Sequence, residues 1–481
     1  MPRQTILPTL PSLPRRQLLG LGGATLAGAL GLGGGISLLA PEATAADDGY
    51  RALVCLFCFG GNDGMNMVVP RDATRHAQYA AVRGALALPR TSLVGLGSDY
   101  GLHPAMGALA PVWTEGALTA VHNVGPLFAP LSKAAYRAAA DGDPLVPDSL
   151  FSHSDQQLLW EAASARAFER TGWGGRASAL LGTTNPVISF GGNAHFGLAE
   201  TTSPWVLPGP GSNFGANGFS TWAPVAARRA ALNQLMATRQ GSPMAEAYAV
   251  QMRSAFNLES RLSGLFDFNP DPTADPSGIT AAFAPLISGG SVAGELAPQL
   301  YQVARFIANR ATVQGTRQIF FVQLGGFDNH SGQIGGSSLD GQHALLMQEV
   351  ADSLAAFWRA LKAIGMGNQV TLFTQSDFGR TFVPNDSSGT DHAWGNEHLV
   401  MGGAVVGNTT HGRYPQLVVG GPDDVGVDAW ELQGRWIPSS SVDQYAATLL
   451  RWWGMSEPQL DLALPNLRNF GSARNLGFLK T

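Results

Sequence analysis

Short apolar runs and longer amphipathic stretches follow one another along the chain. Most of the short runs are continuously apolar, which is typical of strands buried on both faces of a sheet. The pattern predicts strands at residues 53–59, 118–122, 187–190, 319–324, 370–374, 399–406 and 417–419.

The clearest amphipathic stretch covers residues 342–364, where apolar residues at 346, 350, 354, 357 and 361 recur at helical spacing. Apolar residues at 296, 300, 303 and 307 predict a second helix. Ser441 predicts the start of a third helix, which continues to Trp453, because a serine side chain can cap the free N–H groups of a first turn.

Strands that alternate with helices favour a mostly parallel sheet covered on both sides, so we expect an α/β fold arranged as a three-layer sandwich. The stretch 201–298 differs, because loops rich in glycine, proline and serine surround helical segments at 226–239 and 244–265. We expect it to be an insertion or cap on a single domain that spans residues 47–481.

The N-terminal residues have the layout of a secretory signal peptide. Arg15 and Arg16 precede an apolar run that reaches Ala40 without a charged residue, and paired arginines at this place are typical of the export route for folded proteins. Small residues at 43–45 predict cleavage by signal peptidase, so we expect the twin-arginine translocase to export the protein and residues 1–46 to be removed. A retained anchor is the alternative, because 18–40 approach the ~20 apolar residues of a spanning helix. The glycines of the run favour cleavage, and we expect a periplasmic or secreted protein without a stable membrane anchor.

Composition narrows the list of partners. The 481 residues carry a formal net charge of −5 and no block of basic residues, which argues against nucleic acid as a partner.

Cys55 and Cys58 are the only cysteines. They lie three positions apart in a predicted strand, where their side chains point to opposite faces, so we expect two buried thiols instead of a disulfide.

Three predicted strands are followed by small residues and then an acid, namely Asp63, Asp328 and Asp377. Because the carboxyl ends of parallel strands meet at one edge of an open sheet, we expect these carboxylates to lie close together. Without a cation they would repel one another, whereas a divalent metal ion would hold all three ionised. The sequence therefore predicts a metal site at this edge.

Histidines add nitrogen ligands to the predicted site. His330 lies two positions after Asp328 and would project to the same side of an extended segment. His392 and His398 follow Asp377 by 15 and 21 residues, and which of the two faces the site stays open. Mixed nitrogen and oxygen ligands suit zinc or manganese, with calcium or magnesium as the alternative if oxygen ligands dominate.

A nucleophile is less clearly marked. Ser152 precedes an apolar stretch, so we expect it at a helix N-terminus, where backbone N–H groups favour an anion or an ionising hydroxyl. Capping of that helix by Ser152 or Ser154 is the alternative. The sequence has no G-x-S-x-G, Walker or H-E-x-x-H motif, which argues against an ordinary serine esterase, a nucleotide hydrolase or a zinc peptidase.

As a set, the motifs resemble an exported bacterial family known as domain of unknown function 1501, which is similar to the alkaline phosphatase and sulfatase superfamily. The resemblance covers nearly the whole chain after the predicted signal peptide. It rests on GGNDG at 60–64, GLHP at 101–104, SHSDQ at 152–156, TGW at 171–173, GGFDNH at 325–330, DFGRT at 377–381 and TDH at 390–392.

The resemblance implies an alkaline phosphatase-like fold and an exported, metal-dependent hydrolase of a phosphate or sulfate ester, carried by a small molecule or a polymer. Two metal ions would bridge the attacking and leaving oxygens. The divalent metal ligands implied are Asp63, Asp328, His330, Asp377 and His392.

The resemblance also implies that Ser152, or a metal-bound water, attacks the ester and that Arg380 holds the anionic substrate through its planar fork. Two positions differ from the superfamily: only Asn329 separates Asp328 from His330, where the usual spacing is longer, and Phe378 stands where a histidine is usual. A second hypothesis therefore stays open, that of a non-catalytic periplasmic binding or assembly protein that keeps the fold with a degenerate site.

Overall fold

A computed structural model of the protein describes residues 49–167, 169–215, 223–238 and 241–480. The predicted signal peptide, residues 1–46, lies outside the described residues. Within them, the strands are β1 Arg51–Cys58, β2 Val68–Pro70, β3 Val94–Leu96, β4 Tyr100–Leu102, β5 Leu118–Gly125, β6 Ile188–Ser189, β7 Trp205–Val206, β8 Ile287–Ser288, β9 Ser291–Val292, β10 Arg317–Leu324, β11 Val370–Ser376, β12 Asn396–Met401, β13 His411–Gly412 and β14 Ser440–Ser441.

The helices predicted at 342–364, at 296–307 and after Ser441 are present among the described residues. The α-helices of this part of the chain are α1 Gly64–Met67, α2 Ala73–Arg83, α3 Ala110–Thr114, α4 Lys133–Ala138, α5 His153–Ala162, α6 Trp173–Leu181, α7 Ala223–Ala237, α8 Pro243–Leu262, α9 Ile279–Phe283, α10 Leu296–Ala308, α11 Arg310–Val313, α12 Gln342–Ala363, α13 Val442–Trp453 and α14 Glu457–Ala463. The start of α13 is a capping box in which the side chains of Ser441 and Gln444 each accept from the other's backbone N–H, as the sequence indicates.

The predicted mostly parallel sheet is confirmed. Its strands lie in the order β13-β5-β12-β11-β1-β10-β6-β7, with β14 also paired to β5. Strand β1 runs parallel to both β10 and β11, and β12 runs antiparallel to β11 and β5. The prediction of a strand at 417–419 is wrong, because these residues pair with none of the described strands. Leu417 and Val419 pack instead in a separate apolar cluster with Tyr79 and Phe382.

Helices cover both faces of the sheet, which makes three layers. Alternate residues of β1 explain why: Val54 and Leu56 pack in the same core as α10 and α12, while Leu53 and Phe57 pack with α13 and α14. Cys55 and Cys58 lie on these opposite faces as free, buried thiols, as predicted.

The stretch 201–298, predicted to be an insertion or cap, contributes in part to the main fold. Strand β7 pairs with β6 at the edge of the central sheet. Helix α9 packs against α10 and α12, whereas α7 and α8 pack against each other.

Register brings three strand ends to the same level. Cys58 at the end of β1 is paired with Leu324 of β10 and with Ser376 of β11. Because β12 runs the opposite way, the segment that precedes Asn396 reaches the same edge. The loops that carry Asp328, Asp377 and His392 therefore meet there.

Candidate metal centre

Glycine permits the loops after β1 and β10 to touch. Gly60 has a φ of 113°, a backbone conformation that residues other than glycine rarely adopt. A Cβ atom at this position would lie 2.4 Å from the backbone nitrogen of Asp328. The close approach places Asp328 over the end of β1.

Three imidazoles converge on one carboxylate oxygen. Oδ1 of Asp328 is approached by Nε2 atoms at 3.3 Å from His153, 3.1 Å from His330 and 3.5 Å from His392. Ligand atoms of His153, Asp328 and His392 all lie within 4.8 Å of one another, and Nε2 of His330 is 2.8 Å from Nε2 of His392. We call these four residues the three-histidine centre.

The Nδ1 atom of each imidazole makes a hydrogen bond that fixes the orientation of the ring. Nδ1 of His153 lies 2.7 Å from Oδ2 of Asp377, and Nδ1 of His330 lies 2.8 Å from Oδ1 of Asp391. Nδ1 of His392 lies 2.7 Å from the carbonyl oxygen of Phe151. Carboxylates and carbonyls only accept, so every Nδ1 carries the proton and donates it.

The donor set fits a divalent cation. When Nδ1 carries the only ring proton, Nε2 of each imidazole presents a lone pair toward Asp328. Nε2 of His330 and Nε2 of His392 are 2.8 Å apart, so their lone pairs repel unless a proton or a cation lies between them. Nε2 of His153 is buried and makes no hydrogen bond to any described residue. Histidine ligands whose second nitrogen donates to a carboxylate or carbonyl are the usual arrangement at metal sites, and three nitrogens with one oxygen suit zinc.

The surroundings shift the pKa values of the residues of the three-histidine centre in different directions. The hydrogen bond to Asp377 raises the pKa of His153, whereas burial lowers the pKa of His392. Burial acts to raise the pKa of Asp328, but the hydrogen bond and charge of Arg380 outweigh it and the pKa lies below its ordinary value. The side chains of Asp328 and His330 are 47% and 45% exposed, so the centre is open to solvent on one side.

Asp377 and Asp63, both predicted to bind metal, lie elsewhere. Asp377 stands behind His153 and also accepts from Nε2 of Gln157 at 2.8 Å. Asp63 is buried in an ion pair with Arg83 and accepts from Nε2 of Gln333 at 2.5 Å. Burial acts to raise the pKa of Asp63, but the charge of Arg83 lowers it below the ordinary value. The structure therefore brings together Asp328, His330 and His392 of the predicted ligands, and leaves Asp63 and Asp377 outside the ligand group.

Arg380, predicted to hold the substrate, is buried and surrounded by acceptors. Its N–H groups donate to the backbone carbonyls of Gly60, Gly61, Phe327 and Thr390, and to Asp328. The guanidinium thus fastens the loops of the site to one another, and it is buried away from solvent.

Ser152, the predicted nucleophile, lies at the N-terminus of α5, directly before His153. Its side chain does not cap the helix. Oγ of Ser152 instead donates to Oδ2 of Asp155 at 2.7 Å. The preceding residue, Phe151, has φ of 75°, a strained value for a bulky side chain, and this conformation aims its carbonyl at His392.

His153 is the member of the three-histidine centre that the sequence did not single out. It belongs to the SHSDQ segment, but the pattern there pointed to a helix start and to Ser152. His398, the other open choice, is buried inside the sheet beside Trp160, and its Nδ1 lies 3.4 Å from Oγ1 of Thr374.

The helices among the described residues offer no membrane crossing, since none combines the necessary length with sufficient apolar character.

Solved structures of sulfatases and of an alkaline phosphatase are similar to this chain at low identity. The PsFucS1 sulfatase from Pseudoalteromonas sp. aligns over 90% of this chain and 73% of its own, with 12% identity and a TM-score of 0.36. Ps i-CgsB in complex with k-i-k-neocarrahexaose aligns over 88% and 77%, with 10% identity and a TM-score of 0.31. Wild-type alkaline phosphatase PafA aligns over 69% and 63%, with 10% identity and a TM-score of 0.25.

No curated protein matches the sequence. Residues 50–425 match the family described as "Protein of unknown function (DUF1501)", as the motifs predict. The match covers more than half of the chain, so the protein belongs to the DUF1501 family.

Proposed function

We propose that this protein is an exported, metal-dependent hydrolase of a phosphate or sulfate ester. The observation that carries the proposal is the convergence of three Nε2 atoms on Oδ1 of Asp328, each imidazole being fixed through Nδ1. A cation in such a site, open to solvent on one side, supplies positive charge for the oxygens of a tetrahedral anion.

The ligands proposed are His153, His330, His392 and Asp328. Three nitrogens and one oxygen favour zinc, with manganese second, whereas calcium prefers oxygen ligands. This set replaces Asp63 and Asp377 of the motif-based hypothesis by His153.

The nucleophile we propose is Ser152, which directly precedes His153 at the N-terminus of α5 and donates from Oγ to Asp155. Its Oγ would attack phosphorus or sulfur, forming the new Oγ bond as the bond to the leaving oxygen breaks, while its proton passes to Asp155, which already accepts it at 2.7 Å. The N-terminus of α5 adds the backbone N–H groups of a first helical turn, which favour the negative charge of the substrate.

Hydrolysis of aryl phosphates and aryl sulfates by the zinc- or manganese-loaded protein tests the proposal. We expect turnover that is lost in Ser152→Ala and in Asp328→Ala, and retained in Ser154→Ala, the neighbouring serine on the same turn. Turnover that survives in Ser152→Ala would exclude Ser152 and leave direct attack by water. Absence of turnover on both ester classes in a metal-loaded protein would overturn the proposal.

One observation favours the alternative, a non-catalytic binding or assembly protein. The ring of Phe378, which stands where a histidine is usual in the superfamily, lies 4.7 Å from the rings of both His153 and His392. A phenyl ring offers no lone pair to a metal ion, so this position supplies no ligand. This alternative predicts that the loaded protein binds its partner equally well with Ser152 or alanine at that position.

A further inference from the structure

A small pocket lies at the edge of the sheet opposite the three-histidine centre. Its volume is about 160 Å³, and its wall includes Arg51 at the start of β1, Arg451 and Trp452 in the last turn of α13, and Lys480. Strand β1 is eight residues long and rises about 3.3 Å per residue, so more than about 20 Å separates the pocket from the loops that follow Cys58. The pocket is therefore distinct from the three-histidine centre.

Positive charge dominates this pocket. The residues that line it bring three positive charges and no negative charge. Glu457 pairs with Arg451, at 2.7 Å from Nε. Within the part of the chain that the structure describes, no carboxylate pairs with Arg51 or Lys480, which donate to backbone carbonyl oxygens. Two of the three charges are thus uncompensated in a protein whose formal net charge is −5.

Arg451 also has a buried donor that lacks an acceptor. Its Nε and Nη2 both face Glu457, while Nη1 is buried and makes no hydrogen bond to any described residue. Buried polar atoms in native proteins nearly always have a partner in the protein, in water or in a bound ion. An acceptor held in the pocket that Arg451 lines would satisfy this donor.

Contacts between segments that are distant in sequence hold the wall in place. The guanidinium of Arg51 lies over the ring of Trp452, 5.6 Å from the centroid. The backbone N–H of Lys480 donates to the carbonyl oxygen of Ala404 at 2.8 Å, and its Nζ donates to a neighbouring carbonyl at 2.9 Å. Cations that are already positioned lose little freedom when a ligand binds, so the pocket is preorganised for an anion.

We propose that this pocket binds a small oxyanion of the phosphate or sulfate class. Guanidinium groups match the oxygens of such anions with parallel N–H groups, and a lysine adds a compact charge. A water molecule takes up about 30 Å³ of liquid, so 160 Å³ holds about five waters, or one tetrahedral anion with little else. The bound anion would link β1, α13 and the segment that carries Lys480.

Titration calorimetry with inorganic phosphate tests the pocket, in about 0.1 M sodium chloride to screen non-specific attraction. Under the proposed function the three-histidine centre binds phosphate too, so the wild type is titrated beside a variant that combines His153→Ala and His392→Ala. We expect both proteins to bind phosphate. In the double-variant background, Lys480→Gln and Arg451→Met should each weaken binding about 10-fold, because each removes a charge-assisted hydrogen bond.

Lys362→Gln is the matched control. Lys362 is an exposed lysine that pairs with Glu115 at 2.7 Å and does not line the pocket, so the same substitution removes the same charge elsewhere. It should bind phosphate like the double variant from which it is made. Lys480→Gln keeps the test decisive if Arg451→Met, which also loses its pair with Glu457, fails to fold.

Three results would overturn the proposal. A folded double variant that binds no phosphate would mean that the cations serve only the carbonyl groups at the end of α13. Unchanged phosphate affinity in Lys480→Gln would exclude the pocket as the binding site, and equal weakening in Lys362→Gln would reduce the effect to net charge. None of these results bears on hydrolysis at the three-histidine centre.

Comparison of two ligands identifies the source of the anion. Tighter binding of inorganic phosphate than of glycerol 3-phosphate to the double variant would assign the pocket to a free anion. The reverse order would assign it to a phosphate group carried by a larger molecule.

Discussion

Replacement of Asp377 by asparagine tests how the three-histidine centre is supported. Oδ2 of Asp377 accepts from Nδ1 of His153 at 2.7 Å and from Nε2 of Gln157 at 2.8 Å, while Oδ1 accepts from the N–H of Gly60 at 3.1 Å. All three partners are donors. Asparagine has a single acceptor oxygen, so its own N–H groups must meet either Gly60 or the pair formed by His153 and Gln157.

The size of the effect follows from this mismatch. Leaving a buried donor unpaired costs about 1–3 kcal/mol, so we expect Asp377→Asn to lower the free energy of unfolding by about that amount. Weakening the group that orients a metal-binding imidazole lowers metal affinity by about 10- to 100-fold. Were Asp377 itself a ligand, the loss of affinity would be larger and would equal that of Asp328→Asn.

Competition between the protein and a chromophoric chelator measures the zinc affinity, and urea unfolding measures the stability. Asp391→Asn, which changes the carboxylate 2.8 Å from Nδ1 of His330, should lower the affinity in the same way. Asp72→Asn changes a carboxylate that caps α2 and should leave the zinc affinity unchanged. Wild-type zinc affinity in Asp377→Asn, or equal weakening in Asp72→Asn, would refute the reasoning.

Two further predictions concern groups outside the three-histidine centre. Burial raises the pKa of both Glu161 and Asp443 to about 7. Because these values exceed those of the unfolded chain, the folded state keeps protons that the unfolded state has lost, and the free energy of unfolding falls as pH rises through the interval up to about 7. Glu161→Gln should flatten that fall by up to about 1.4 kcal/mol per pH unit in urea titrations across the interval, and an unchanged slope would contradict the assignment. Asp63→Ala should lower the free energy of unfolding by about 3–5 kcal/mol, because it leaves Arg83 buried without its partner, while zinc affinity stays at the wild-type level. Loss of zinc without loss of stability would instead make Asp63 a ligand.

The sheet and the edge that carries the three-histidine centre are predictable from the sequence because both depend on local patterns. Continuous apolar runs mark buried strands, and the residues that follow parallel strands meet at one edge. Asp328, His330 and His392 are found together for that reason. The helix that begins after Ser441 is equally local, since its capping box lies within four residues.

The remaining site residues depend on partners that are distant in sequence. His153 joins the centre only because α5 packs its N-terminus against the end of β11, where Asp377 receives Nδ1. Asp63 and Arg380 have the residue types of a ligand and an anion clamp, yet Arg83 and a ring of backbone carbonyls surround them. No spacing along the chain distinguishes a carboxylate that faces a cation from one that faces a buried arginine.

Elemental analysis of the protein purified from its native host tests the central claim most directly. The wild type is compared with a variant that combines His153→Ala and His392→Ala, and with His398→Ala as the matched control for loss of a buried histidine away from the centre. The three-histidine centre predicts one equivalent of zinc or manganese in the wild type and in His398→Ala, and none in the double variant. A folded wild type that stays metal-free after incubation with zinc and manganese, or a double variant that retains the metal, would contradict it.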